Sequence, residues 1–280
     1  MSAPSIDSAK TRRKRPDLFV GISLGFLLIL ATIALVSTWI APQDPEAQSL
    51  LHSGQGPSST YVLGTDSLGR DILSRVLEGT GTAVLGPLIV AVGTTFVAVV
   101  LGLVAGFKGG YAEATIMRVA DAVYAFPSLL VIIVAAGLFG GGYWLAVGLL
   151  IVLLSPSGIR IVRSAVLTQR NLPYIEAAQL IGVPNGRVMR VHIFPNILPT
   201  VVAAGLLDFV AALVGLSALS FLGLGSPPGS MDWGRMLTEN RILLDVNPWA
   251  AVVPAAMLIA TSAAVTIVGD WLFDRLKEGR

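Results

Sequence analysis

The chain has 280 residues, of which 54% are hydrophobic and only 13% are charged. Soluble domains carry about 25% charged residues, so this composition indicates a membrane protein rather than a soluble globular one. There is no cysteine, which excludes disulfides, thiolate metal sites and cysteine nucleophiles. The formal net charge of +2 decides little, whereas the distribution of the basic residues is informative.

Uncharged segments recur that are long enough to cross a bilayer, for which a helix needs roughly 20 apolar residues. Residues 122–159 are too long for one helix, and the turn signal at Gly140–Gly142 divides them into two spans. The predicted spans are, in chain order, Leu18–Ile40, Gly79–Phe107, the two halves of 122–159, residues 197–224 and Val246–Gly269. The sequence therefore predicts an all-α membrane protein with six transmembrane helices.

The basic residues predict the orientation of these spans. With the N-terminus inside, the inner segments hold fifteen Lys and Arg residues, and the outer ones hold four, namely Arg70, Arg75, Arg235 and Arg241. This bias predicts cytoplasmic termini. The basic run before the first span then acts as an orientation signal at anionic lipid, and no nucleic-acid partner is predicted. A cleaved signal peptide is disfavoured, because the apolar run is about 20 residues and no A-x-A site follows.

The same reasoning divides the chain into four segments. Residues 1–17 form a basic cytoplasmic N-terminus, residues 18–41 the first helix and residues 42–78 an extracytoplasmic segment. Residues 79–280 form a core with the other five helices. That core contains a polar cytoplasmic loop at about 163–198.

The predicted extracytoplasmic segment contains the stretch LGTDSLGRDILSRVLEGTGTAVLGP at residues 63–87. Thr65 or Asp66 could cap a helix, and Asp71 and Arg75 have the spacing of a helical ion pair. Taken by itself, the stretch predicts a surface helix that leads into a span, from which Arg70 and Arg75 project. It indicates no chemistry.

The polar loop begins with features of a short helix. Pro173 suits the first helical position, and Glu176 lies in the first turn, where a carboxylate is favoured. Ala177 and Ala178 are small enough for close approach by another molecule, and Gly182 breaks or caps the helix.

A second short helix is predicted from Arg187 to Phe194, with Asn185 as its cap. Arg187 and Arg190 are three residues apart and share a face. Two short helices joined by a turn form an elbow. The residues alone leave two interpretations open: an amphipathic loop on lipid headgroups, or a loop that fits a groove on a soluble protein.

The sequence of this elbow, EAAQLIG followed nine residues later by HIFPN, resembles the EAA loop of ABC-importer permeases. The matching positions are Glu176, Ala177, Ala178, Gly182 and Pro195. His192 and Phe194 depart from the general pattern, and the HIxPN form is similar to the peptide-transporter branch.

The resemblance implies that the elbow docks in a cleft of an ATP-hydrolysing subunit and passes its movement to the membrane helices. It implies polar contacts through Glu176 and a close fit at the residues Ala177, Ala178 and Gly182. Further candidates for this coupling are Arg187, Arg190 and His192. No metal site is predicted, because His52 is the only other histidine.

The segment at 63–87 is similar to the pattern GTDxxGRDxxSRxxxGxRxSL in one of the two permeases of oligopeptide, dipeptide and nickel importers. The matching positions are Gly64, Thr65, Asp66, Gly69, Arg70, Asp71, Ser74, Arg75 and Gly79. The chain departs from the pattern at Gly81, where the family usually has Arg, and at Ala83, where it usually has Ser. Two further stretches, Asp121–Leu130 and Ala218–Leu237, extend the resemblance from about residue 60 to the C-terminus.

This resemblance implies a type I ABC-importer permease, a transport subunit rather than an enzyme, in a bacterial-type cytoplasmic membrane. It implies a homologous second permease, two cytoplasmic ATPases and an extracytoplasmic binding protein that delivers peptides or similar solutes. The chain has no G-x-x-x-x-G-K-[ST] motif to hold ATP phosphates. ATP and Mg²⁺ would therefore bind to the partner subunits, and no cofactor to this chain.

Asp208 is the one carboxylate well inside a predicted span, which makes it a candidate intramembrane polar site. It could lie on the substrate route or pair with a basic residue of a partner, or it could simply be hydrogen-bonded to neighbouring residues. The alternative function is a secondary transporter driven by an ion gradient, with Asp208 as the coupling site. That class predicts inverted repeats and broken helices, and the sequence shows neither. Near the inner interface, Asp121 is predicted to pair with Arg118.

Overall fold

The structure is a computed structural model that describes residues 18–278, so the predicted basic N-terminus, residues 1–17, lies outside the described residues. Within that range the regular structure is helical, apart from an isolated bridge between Thr65 and Asp71. Its α-helices are α1 (Leu18–Ile40), α2 (Ile72–Lys108), α3 (Gly110–Tyr124), α4 (Ser128–Phe139), α5 (Tyr143–Arg170), α6 (Pro173–Leu180), α7 (Asn185–Arg187), α8 (Phe194–Phe221), α9 (Trp233–Asn240) and α10 (Trp249–Glu278). A π-helical turn (Val188–Ile193) joins α7 to α8, and short 3₁₀ turns lie at Leu50–His52 and Arg241–Leu243.

Five helices in the described range are long and apolar enough to cross a membrane individually, namely α1, α2, α5, the continuous helix Asn185–Phe221 and α10. The helices α3 and α4 supply a sixth span only as a pair bent by 76°. The sequence showed no broken helices, and this prediction is wrong at α3 and α4. The break lies at Pro127, which lacks an N–H donor and restricts the residue before it to non-helical conformations.

The long helix α2 is central to the bundle and packs on α1, α5 and α8. It packs most extensively on α5, where Gly102 and Gly106 face Val162 and Val166. A Cβ atom added at either glycine would lie 2.7 Å from the facing valine, so only glycine allows this helix separation. At about 1.5 Å per residue, α2 extends for roughly 55 Å and connects the two ends of the bundle.

Buried clusters at the two ends of α2 hold the candidate sites. At its first turns, Ile72 and Val76 pack with Trp233 and Met236 of α9. At its last turn, Phe107 packs in a cluster that includes residues of α5, α6 and the π turn. The two sites described below are therefore connected through one continuous helix.

Candidate functional site

The elbow begins with α6, which has Pro173 in its first turn as predicted. Gly182 ends the helix with a φ of +82°, a conformation that favours glycine. The Gly182 N–H donates to the Gln179 carbonyl at 3.0 Å, and the Val183 N–H donates to the Ala178 carbonyl at 3.1 Å. These two bonds form a Schellman motif, so the prediction that Gly182 caps this helix is confirmed.

The second arm of the elbow differs from the prediction. It is not a separate short helix, because α7 and the π turn continue without interruption into α8. Pro184 occupies the cap position and no side chain caps the helix, so the assignment of Asn185 as a cap is wrong. The wider π turn precedes Pro195 and allows a continuous helix to pass a proline that a regular α-helix excludes.

Three apolar side chains fasten both arms to the membrane helices. Ile175, Val188 and Ile193 are fully buried. They pack in one cluster with Phe107 of α2 and Val166 of α5. The base of the elbow is therefore part of the same close-packed interior as α2, α5 and α8.

The opposite face of the elbow is open to solvent. Glu176, Ala177 and Gly182 are exposed, whereas Ala178 faces the interior. Leu180 and Ile181, which were not among the candidates selected from the sequence, are 87% and 81% exposed. The sequence did contain a signal for this pair, because two large apolar residues precede a helix-ending glycine outside any predicted span. This exposed apolar tip, Leu180 and Ile181, is typical of a surface that a partner covers.

The remaining elbow residues lie along the second arm. Arg187 and Arg190 are exposed, and His192 and Pro195 are partly buried. Two polar residues that were not predicted from the sequence tie the arms together. The Asn196 side-chain amide donates to the Tyr174 hydroxyl at 3.0 Å and to the His192 carbonyl at 2.7 Å.

Ion pairs near the elbow join α3 to α5. Arg160 Nη2 lies 2.7 Å from Asp121 Oδ1, and Arg163 Nε donates to Glu113 Oε1 at 2.7 Å. The predicted pairing of Asp121 with Arg118 is therefore wrong. The packing of α5 alongside α3 brings arginines that are distant in sequence closer than the one on the same helix.

At the other end of α2, the GTDSLGRD segment is not a surface helix. Asp66, Arg70 and Arg75 are 0%, 3% and 0% exposed, so the predicted projection of the two arginines into solvent is wrong. Asp71 caps α2, and Thr65 and Asp66 do not. Asp71 Oδ2 accepts hydrogen bonds from the Ser74 N–H at 2.8 Å and from the Ser74 hydroxyl at 2.6 Å.

The arginines belong to a charge cluster formed by the buried residues Asp66, Arg70 and Arg75 and the partly buried residues Arg235 and Glu239. Arg70 Nε lies 2.6 Å from Asp66 Oδ2, and Arg70 Nη2 lies 3.1 Å from Glu239 Oε2. Arg235 Nε lies 2.9 Å from Glu239 Oε1. Arg75 Nε lies 3.6 Å from Asp66 Oδ2, so the predicted Asp71–Arg75 ion pair is replaced by a pairing with Asp66.

The charge cluster holds α9 and its preceding loop against the start of α2. Arg75 donates to the carbonyls of Pro45, Gly229 and Ser230 at 3.1–3.2 Å. Burial raises the pKa of the Glu239 carboxyl, but the Gly229 N–H and the neighbouring guanidinium groups outweigh that effect. The net result is a lowered pKa, so this carboxylate is stabilised in its charged form.

The glycines of the same segment lie against neighbouring loops, and an asparagine side chain binds the same loops. A Cβ atom at Gly64 would lie 2.2 Å from the Gln55 carbonyl, and one at Gly69 would lie 1.9 Å from the Ser49 carbonyl. The Asn247 amide donates to the carbonyls of Gln55, Leu63 and Thr65 at 3.1–3.2 Å. The sequence indicated no chemistry for this segment, and the structure shows that its residues hold neighbouring loops together.

Asp208 makes a hydrogen bond between two membrane helices. The Thr94 hydroxyl of α2 donates to Asp208 Oδ2 at 2.9 Å, and no ion pair to Asp208 occurs within residues 18–278. The geometry favours the interpretation that Asp208 is bonded to a neighbouring helix. It provides no support for an ion-coupling site.

Comparisons with known proteins agree with this geometry. Residues 98–278 match the family described as binding-protein-dependent transport system inner membrane component. The chain is 34% identical to a di/tripeptide transport system permease of Pseudomonas aeruginosa, over 90% of this chain and 85% of that one. It is 33% identical to a glutathione transport system permease of Pectobacterium atrosepticum, over 92% and 86%. The fold matches an inward-facing methionine ABC transporter with a TM-score of 0.61 at 15% identity, over 73% of this chain and 97% of that one.

The family match and the helical fold identify a type I ABC-importer permease, a multi-pass protein of the cytoplasmic membrane. The chain belongs to the family of binding-protein-dependent inner membrane components, in its dipeptide and oligopeptide branch. It is a transport subunit and not an enzyme, because ATP hydrolysis in this family belongs to a separate subunit. These matches support the ABC-importer interpretation over a secondary transporter driven through Asp208.

Proposed function

We propose that this permease carries short peptides into the cytoplasm, in a complex with a homologous second permease, two ATPases and an extracytoplasmic binding protein. The observation that carries the proposal is the elbow, a solvent-facing apolar tip on a base buried among the membrane helices. The peptide substrate is supported by the names of the relatives, which include di/tripeptide and dipeptide transport systems.

In this proposal the elbow end of the bundle is cytoplasmic and the charge-cluster end is extracytoplasmic, in agreement with the distribution of Lys and Arg. The exposed apolar tip inserts into a cleft of the ATPase, and Glu176 makes polar contacts at its rim. Ala177 and Gly182 allow the two surfaces to approach closely. ATP and Mg²⁺ bind to the ATPases and not to this chain.

Closure of the ATPases on ATP displaces the elbow, and the buried residues Ile175, Val188 and Ile193 pass that displacement to α2, α5 and α8. The cavity between the two permeases then changes from inward to outward access. Such a change requires that ATP and the loaded binding protein stabilise one state more than the other. No ion gradient is needed.

The test compares two pairs of adjacent exposed leucine or isoleucine residues at opposite ends of the bundle. Leu180→Asp with Ile181→Asp places charges on the apolar tip, and Leu50→Asp with Leu51→Asp is the matched control. We expect the tip variant to lose at least about tenfold in ATPase association, ATP-dependent dipeptide uptake and substrate-stimulated ATP hydrolysis. The control is expected to keep ATPase association within about twofold.

Both variants are assembled with the other subunits in liposomes, and the folding of each permease is checked by its melting temperature. Uptake by the tip variant at the wild-type rate would contradict the role of the elbow. Uptake by the wild type without ATP would contradict the proposal that ATP drives transport.

A further inference from the structure

Two adjoining cavities open at the end of the bundle opposite the elbow. Their volumes are about 530 and 440 Å³, within the range of small-molecule sites. The first is lined by the end of α1, residues 41–46 and Met231, and the second by α1, α2, the start of α5 and residues 226–230. Both contain Thr38 and Glu78, so the Glu78 side chain lies where the cavities meet.

The Glu78 carboxylate has no partner among the described residues. Its Oε2 atom is buried without a hydrogen bond, and neither of its oxygens takes part in a described ion pair. Asp71 provides the contrast, because its buried Oδ1 is also unpartnered but its Oδ2 accepts two hydrogen bonds from Ser74. A buried, unpartnered carboxylate oxygen is unfavourable, and its natural partner is a cation that donates hydrogen bonds.

The surroundings of Glu78 favour a cation. Asp44 and Glu46 are exposed at the mouth of the first cavity, and no Lys or Arg lines either cavity in the described part of the chain. The nearby Arg75 pairs with Asp66 and its Nη atoms donate to three backbone carbonyls, although its Nε makes no hydrogen bond. Gly81 lies three residues after Glu78, and its missing side chain leaves the second cavity open, since a Cβ there would meet only the Ala34 carbonyl, at 3.9 Å.

We propose that Glu78 binds the ammonium group of the transported peptide at an entry site between α1 and α2. This inference rests on the proposed function. A cavity volume suited to a small molecule favours the free amino terminus of a peptide as the source of that ammonium group, rather than a lysine of the binding protein. The carboxylates at the mouth attract the cation, and Glu78 receives it where water is partly excluded.

The test uses alanyl-alanine and N-acetyl-alanyl-alanine as probes on the purified complex of both permeases and the ATPases, without binding protein. Binding is measured by calorimetric titration. The wild type is expected to bind alanyl-alanine at least about tenfold more tightly than the acetylated form. Glu78→Gln, which keeps the shape of the side chain, is expected to abolish this preference. Gly81→Arg is expected to abolish binding, because its guanidinium would pair with Glu78 and fill the cavity.

The matched control is Asp245→Asn, which neutralises an exposed carboxylate outside both cavities and should leave binding within about twofold. Equal binding of the two probes to the wild type, or an unchanged preference in Glu78→Gln, overturns the proposal. Weaker association of the binding protein with Glu78→Gln in the absence of peptide would instead assign the ammonium group to that protein and overturn it as well.

Uptake in liposomes with the binding protein separates this proposal from the proposed function. If the wild type takes up alanyl-alanine with ATP and Glu78→Gln does so equally well, only the entry site is wrong. If the wild type takes up no alanyl-alanine at all, the peptide function itself is wrong.

Discussion

At the scale of one residue, the surroundings of Gly69 explain why this motif position requires glycine. Its φ of +73° and its contact with the Ser49 backbone both require the absence of a side chain. Gly56, in the same loop region, has open space around its Cβ position. The two glycines are indistinguishable by residue type, and only their surroundings separate them.

We predict that Gly69→Ala destabilises the protein by about 2–4 kcal/mol, because the new methyl group would collide with a carbonyl and strain the backbone. Gly56→Ala should change the stability by less than about 0.5 kcal/mol. Thermal unfolding of both variants in detergent measures the difference. Equal melting temperatures would show that the loop at Ser49 can move aside.

Glu239 is the residue of the charge cluster whose protonation links stability to pH. Its pKa is lower in the folded protein than the ordinary value of 4.5. The folded state therefore binds this proton less readily than the unfolded state. The stabilisation is fully present above the unfolded pKa and is lost as the pH falls through the folded pKa.

Glu239→Gln is accordingly expected to lower the free energy of unfolding by about 1–2 kcal/mol at pH 7, since it removes a partly buried charged partner of Arg70 and Arg235. The difference from the wild type should shrink below about pH 4.5. Denaturation at pH 7 and at pH 4 measures it, with Asp245→Asn as the exposed control. A difference that does not depend on pH would argue against an ionised Glu239.

At the scale of elements, the π turn Val188–Ile193 joins α7 to α8 without interrupting the helix. It contains two valines three residues apart in different surroundings. Val188 is fully buried against the membrane helices, and Val191 is 57% exposed. Val188 therefore belongs to the buried base of the elbow, and Val191 belongs to its exposed surface.

We expect Val188→Ala to cost about 2 kcal/mol of stability and to lower the ratio of peptide taken up to ATP hydrolysed, because the elbow loses a buried contact. Val191→Ala removes the same atoms from an exposed site and should cost less than about 0.5 kcal/mol. Melting temperatures and coupled transport assays measure both effects. An unchanged ratio in Val188→Ala would indicate that other contacts suffice to couple the elbow.

At the scale of the whole molecule, α2 connects a charge cluster at one end of the bundle with the elbow at the other. The proposed orientation assigns these ends to opposite sides of the membrane. Ala47 and Gln179 are exposed and lie at the two ends. The chain has no native cysteine, so a single introduced thiol reports on its own position.

In intact cells, Ala47→Cys is expected to react with a membrane-impermeant maleimide, and Gln179→Cys only after the cells are lysed. The measurement is the labelled fraction of each variant relative to full labelling in detergent. The reverse pattern would invert the topology and place the elbow out of reach of a cytoplasmic ATPase.

Local patterns in the sequence determined much of this protein. Continuous apolar runs predicted the membrane helices, because each must be long enough to cross the bilayer. Pro173 and Gly182 predicted the limits of α6, because their backbone restrictions act within one turn. The EAA motif predicted the family to which the comparison with known families assigns the chain.

Tertiary structure alone decided what depends on distant partners. Arg70 is buried because Glu239, 169 residues away, reaches it, and Asp121 pairs across helices with Arg160 rather than with Arg118. The exposure of Leu180 and Ile181 depends equally on which face of α6 the membrane helices cover. Sequence spacing encodes contacts along one helix, whereas ion pairing and burial between helices are determined by how the whole bundle packs.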